Sequence, residues 1–216
     1  MKTNIFFDPW IGENYGTDKA MFSKKILVLG NSHYCGECDD CGKRDLHSKC
    51  ADFTKNVIND YLNPSHVASW KKTFSTFINS MFGRLTSEQE RKDFFDSVVF
   101  YNYLQVSAGE DAYSTGNYNF AKNRHLNAFY EVLNNVGPDV VVSWGSKVWD
   151  ALPDNWNNYG ETDKGNGIRI GNQLFKNYYT YPYNNRKILL IGVRHPSVGY
   201  STEFHYGIFS ELIFKE

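Results

Sequence analysis

Four short runs of aliphatic and β-branched residues, separated by longer amphipathic segments, constrain the fold of this chain more than any other feature. They are Lys25 to Leu29 (KILVL), Ser97 to Leu104 (SVVFYNYL), Asp139 to Ser143 (DVVVS) and Lys187 to Val193 (KILLIGV). They lack the apolar–polar alternation of a strand with one wet face, so they read as strands buried on both sides. Between them Trp70, Phe74, Phe77, Ile78 and Met81 recur at helical spacing, as do Leu126, Phe129, Tyr130 and Leu133, and then Phe204, Ile208 and Leu212. Ser87 and Glu90 have capping-box spacing ahead of the second run, and Gly137-Pro138 stops a helix ahead of the third. Strands alternating with helices require crossover connections. The expected architecture is therefore α/β, a three-layer α/β/α sandwich around a central four-stranded parallel sheet. With 216 residues, no repeat and no Pro-rich or Ser-rich linker, a single domain spanning 1–216 is expected. Residues 153–186, dense in Gly and Asn, read as surface turns or a hairpin.

The first run leads directly into GNSHYCGECDDCGKRDLHSKC, which carries all four cysteines of the chain. Cys35, Cys38, Cys41 and Cys50 give the spacing C-x2-C-x2-C-x8-C, a cluster of soft sulfur donors suited to Zn2+ or to an iron-sulfur cluster. The N-terminus has no apolar h-region and no stretch approaches the roughly 20 apolar residues of a membrane span, so the chain reads as cytoplasmic. In a reducing compartment such a cluster points to metal rather than to disulfides. The spacing resembles the structural zinc lobe of medium-chain alcohol dehydrogenases and differs from the ferredoxin pattern, in which Cys-Pro commonly follows at short spacing. Zn2+ is the expected cofactor, with an iron-sulfur cluster as the alternative. Four sulfur ligands close the coordination sphere, so the loop at 35–50 is expected to be structural. His33 and His47 are spare ligands should one cysteine not participate.

The formal net charge of -1 excludes the global basic field of an avid, sequence-independent nucleic-acid binder, so any such contact must be local. In an open parallel sheet, ligands bind beyond the carboxyl ends of the strands. There the sequence places Asn31-Ser32-His33-Tyr34 after the first run, Asn102 near the end of the second, Trp144-Gly145-Ser146-Lys147 after the third and Arg194-His195-Pro196-Ser197 after the fourth. Singly, each has an ordinary explanation as a turn residue, a cap, or a hydrogen-bonded core amide or imidazole. Gly145-Ser146-Lys147 lacks the spacing of a phosphate-binding loop.

Taken in order, LVLGNSHY, FYNYLQ, VVSWGSKVW and HPSVGYS resemble the motifs of the uracil-DNA glycosylase superfamily, over roughly residues 25–214 and as scattered segments. Members of that superfamily pair a Gly-initiated water-activating motif after the first strand with a His-Pro-Ser motif after the fourth. The resemblance implies a pocket for a base rotated out of a duplex. It implies that Asn102 reads the base edge, because an amide donates and accepts at once, that Phe53 stacks on the base face, and that Tyr34 walls off bulkier bases. His195 would hydrogen-bond the base oxygen that gains charge as the N-glycosidic bond breaks. Ser197 and Ser201 would grip phosphates, and Tyr200 would wedge into the vacated stack. The best-known members carry Asp two residues after the motif glycine. Here that residue is Ser32, which cannot act as the base, and Asn31 is the residue left to hold the water.

The function implied is a DNA glycosylase-like hydrolase excising uracil or a related deaminated base. Its partner would be DNA or a nucleotide base, with a monomer as the default state. The alternative is a nucleotide or nucleic-acid binding module that keeps the pocket without hydrolysis.

Overall fold

The computed structural model describes residues 3–35, 48–109, 118–153 and 167–215. In chain order these form β1 (Trp10–Ile11), β2 (Ile26–Gly30), α1 (Phe53–Leu62), α2 (Lys71–Phe82), α3 (Glu88–Ser97), β3 (Val99–Asn102), α4 (Asn123–Val136), β4 (Val140–Trp144), α5 (Ser146–Ala151), β5 (Ile168–Ile170), β6 (Gln173–Phe175), β7 (Tyr178–Tyr183), β8 (Arg186–Val193) and α6 (Thr202–Phe209). The last helix runs on into a π-helical turn, Ser210–Phe214. No helix among the described residues is long and apolar enough to cross a membrane.

All four apolar runs become strands of one sheet, and β3, β2, β4 and β8 lie parallel in that order. The chain thus leaves β2 toward β3 on one side and later returns to β4 on the other. Crossovers that share a hand but run in opposite directions deposit their helices on opposite faces. One apolar cluster holds Ile26, Val28, Val140 and Val142 with Ile58, Phe74, Phe77 and Ile208 from α1, α2 and α6. The other holds Leu27, Leu29 and Val141 with Ala128, Phe129 and Val132 from α4. Alternate residues of each strand thus feed both cores, the burial that the unbroken apolar runs require.

The sheet has six strands rather than the expected four. Antiparallel β1 pairs with β3, and antiparallel β7 pairs with β8. Two residues carry no legible period, which hides β1. β7 lies in the segment read as surface turns, yet its Tyr179 and Tyr181 are buried at period two. Its Pro182 stands on the outer strand of the sheet, where a missing N–H is tolerated. Asn184 and Asn185, with φ of 48° and 62°, make the tight turn into β8. A hairpin of β5 and β6 forms within the same stretch, as anticipated.

Candidate active site

Because β3 and β4 flank β2, the strand order reverses between β2 and β4, the position beyond whose carboxyl ends open α/β sheets place their ligands. Asn31 follows β2 at this point and Gly145 follows β4. Gly145 has φ 84° and ψ 153°, a conformation only glycine adopts at low cost. A methyl group there would lie 3.5 Å from both amide atoms of Asn31 and 3.6 Å from Cβ of His195. Asn31 and His195, far apart in sequence, therefore meet across one glycine. Asn31 Oδ1 and Ser32 Oγ are buried without a hydrogen-bond partner among the described residues, and so is the indole Nε1 of Trp144, whose ring meets His195 edge-on at 5.9 Å. Buried polar atoms normally find partners, so three orphans at the ends of β2 and β4 mark a place built for a water or a ligand.

His195 Nδ1 lies 2.7 Å from Ser197 Oγ and 3.4 Å from the backbone N of Ser197. That N–H can only donate, so Nδ1 accepts and the ring proton sits on Nε2. Burial lowers the His195 pKa below the ordinary histidine value, which keeps the ring neutral. Ser32 brings no carboxylate to this end of the sheet.

Asn102, 6% exposed, ends β3 beside β2. Its amide lies across Gly30, where any Cβ would overlap Asn102 Oδ1. Asn102 Nδ2 is 3.2 Å from each ring nitrogen of His33, and His33 Nε2 is 2.9 Å from Thr54 Oγ1. The imidazole of His33 packs 4.7 Å from the ring of Phe53 and 4.7 Å from that of Phe7. Burial pushes its pKa down to about 3. Both ring nitrogens of His33, a spare ligand in the sequence reading, thus face a hydroxyl and an amide in this structure. Gln105 ties this region together. Its Oε1 accepts from the N–H groups of Phe6 and Phe7, at 2.7 and 3.2 Å, and its Nε2 donates to Asn102 O at 2.9 Å.

The HPSVGYS loop departs from expectation at Tyr200. Its ring stacks on His205 at 3.7 Å and its hydroxyl lies 2.8 Å from Ser80 Oγ, so it is packed into the fold rather than projecting as a wedge. The apolar residue that does project is Val198, 71% exposed. Ser197 is exposed, and Ser201 caps α6 by accepting from Phe204 N at 3.2 Å. Tyr34 is exposed at the edge of the site.

Of the cysteines, Cys35 and Cys50 are half-buried, while Cys38 and Cys41, like His47, lie outside the described residues. Cys35 is fixed beyond the sheet by donating its N–H to Gly109 O at 2.7 Å and accepting from Ser107 Oγ at 2.9 Å through its carbonyl. Cys50 sits in the 3-10 turn Ser48–Asp52 that delivers Phe53. Among the described residues no three His, Cys, Asp or Glu side chains gather as a metal site.

Phe7 and Thr54 belong to this region but stood out in no motif, whereas Gln105 and Trp144 lie inside FYNYLQ and VVSWGSKVW, where the motifs assigned them no role. Two clefts lie elsewhere. One of about 350 Å3 is lined by Trp149, Lys176 and Tyr179, and one of about 230 Å3 by Tyr61, His66 and Arg91. Three of the five unpartnered buried side-chain polar atoms among the described residues lie at the ends of β2 and β4, where the strand ends converge; the other two are the hydroxyls of Tyr15 and Tyr101. No protein-family model matches the sequence, and no curated protein matches it significantly.

Proposed function

We propose that the chain is a base-excising N-glycosyl hydrolase with the architecture of the uracil-DNA glycosylase superfamily, acting on uracil or a related deaminated base in DNA. The observation that carries this reading is the meeting of Asn31 and His195 across Gly145 at the strand-order reversal, with Asn31 Oδ1 and Ser32 Oγ buried and unpartnered. In this reading the two oxygens hold the attacking water. His195 offers Nε2–H to the base oxygen as the glycosidic bond breaks and negative charge moves onto the departing base. Ser32 stands where a carboxylate would activate the water, so in this reading the rate comes from stabilising the leaving base and orienting the nucleophile. Ser197 and Ser201 contact the backbone, and Val198 takes the wedge position in place of Tyr200.

Cys35, Cys38, Cys41 and Cys50 bind one Zn2+ in this proposal. The fit is chemical, four thiolates matching the sulfur preference and coordination number of zinc. Of the two described cysteines, Cys35 follows β2, which ends at Gly30, and Cys50 lies within the Ser48–Asp52 turn that precedes α1.

A second reading, a binding module without hydrolysis, is favoured by one observation: Asn102, the proposed reader of the base, already contacts His33. Single-turnover excision from oligonucleotides bearing uracil, hypoxanthine, xanthine or alkylated bases, run beside equilibrium binding to the same strands, separates the two. The hydrolase reading expects excision of at least one base. Binding without any excision selects the module.

A further inference from the structure

His33 is held as a ligand would be held. The ring is 3% exposed, lies 4.7 Å from each of two phenyl rings, and has both nitrogens met by polar side chains, Thr54 Oγ1 at 2.9 Å and Asn102 Nδ2 at 3.2 Å. A planar nitrogen heterocycle packed against aromatic rings, tilted on Phe53 and edge-on to Phe7, with an amide and a hydroxyl at its edge, resembles a base in its recognition site. The occupant here is one of the chain's own side chains.

We propose that the imidazole of His33 occupies the base-recognition site as an internal ligand, and that the site accepts a free or extruded pyrimidine ring when that side chain swings out. This rests on reading Phe53 and Asn102 as the residues that contact the base. The backbone permits the movement. His33 lies beyond the end of β2 and is tied to the neighbouring segment by a single isolated bridge to Ser107 and by its carbonyl, which accepts from Ala108 N at 2.8 Å. A change of side-chain rotamer therefore breaks no strand ladder. Its neighbours Ser32 and Tyr34 are half-buried and exposed, so a path to solvent starts one residue away on either side.

An occupied site lowers apparent affinity by the fraction of molecules in which it is vacant. Emptying it by His33→Ala should leave a polar cavity that small heterocycles enter. Free uracil and imidazole are the probes, with binding measured by calorimetry and by the shift in melting temperature of the full chain. His33→Ala is expected to bind uracil at least about tenfold more tightly than the wild type, and imidazole should raise its melting temperature but not that of the wild type. His33→Phe keeps a ring in place and should bind uracil no better than the wild type. Equal uracil affinity in the wild type and His33→Ala overturns the proposal. Should His33→Ala be isolated unfolded, refolding in imidazole is expected to restore native circular dichroism, and no recovery overturns it equally. Base excision by the wild type is read separately. Its absence, with uracil binding gained by His33→Ala, ends the hydrolase reading alone; its presence, with no gain, ends the internal-ligand proposal alone.

Discussion

At the scale of single residues, the site depends on how few atoms separate Asn31 from His195. Gly145 leaves the space between them open and carries a backbone conformation that disfavours any side chain. Gly145→Ala is expected to destabilise the fold by about 1–3 kcal/mol, read from urea unfolding, because a side chain disfavours the positive-φ backbone conformation there even though its Cβ has space. His195 acts, in the proposed chemistry, on charge present only as the bond breaks. An interaction made mainly in the transition state changes turnover and not ground-state affinity. His195→Ala should therefore slow single-turnover excision by ~100-fold or more while leaving oligonucleotide affinity nearly unchanged. Asn31→Ala should cost a similar factor through loss of the held water. Ser32→Ala should cost less, since a hydroxyl is a poor base. Equal losses of binding and rate in His195→Ala would reassign that histidine to substrate anchoring.

At the scale of elements, the sequence declares what depends on period and caps, and conceals what depends on tertiary contact. The four buried strands, α2, α4 and the start of α3 follow from runs, helical spacing and the Ser87–Glu90 pair. That pair forms the full capping box, with Glu90 N donating to Ser87 Oγ at 3.2 Å and Ser87 N donating to Glu90 Oε2 at 2.8 Å. Ser87→Ala should cost ~1 kcal/mol in urea unfolding, the usual worth of an N-cap. By contrast β1 is two residues held by β3, and β7 is a tyrosine-rich edge whose Asn-Asn turn resembles loop sequence. The strand-end motifs placed Asn31, Asn102 and His195 at one end of the sheet. They could not reveal that Tyr200 turns inward onto His205, or that His33 fills the space between Phe53 and Asn102, because both depend on packing partners distant in sequence. If the four cysteines bind Zn2+ as proposed, the segment they span gains stability from the metal. Cys38→Ser is expected to reduce zinc below about one per chain and lower the melting temperature without altering which base is excised. Iron in stoichiometric amount with a brown colour would replace zinc by a cluster.

At the scale of the whole molecule, one buried hydrogen-bond chain joins the N-terminal segment, the end of β3 and α4. Gln105 holds the backbone of Phe6 and Phe7, donates to Asn102, and gives its own N–H to His125 Nδ1 at 3.0 Å. His125 is 2% exposed, and burial, with smaller effects from Arg124 and Lys122, lowers its pKa to about 4. Its folded-state value lies below the unfolded value of 6.5, so the unfolded chain takes up the proton first. The stability this group contributes is complete above pH ~6.5, declines as pH falls toward ~4, and changes no further below both values, a total of about 3 kcal/mol. Protonating Nδ1 also removes the acceptor for Gln105 N–H, so the loss should propagate along the chain and loosen the N-terminal segment that backs His33. Other buried histidines titrate in the same direction, which makes the comparison with a variant the informative measurement. His125→Asn replaces the acceptor at the Nδ1 position without a titrating ring. Urea unfolding at pH 7.5 and 4.5 should show a clearly smaller loss of stability on acidification in the variant than in the wild type. Equal losses would mean that His125 is already solvated in the native state and that the chain through Gln105 does not couple α4 to the site.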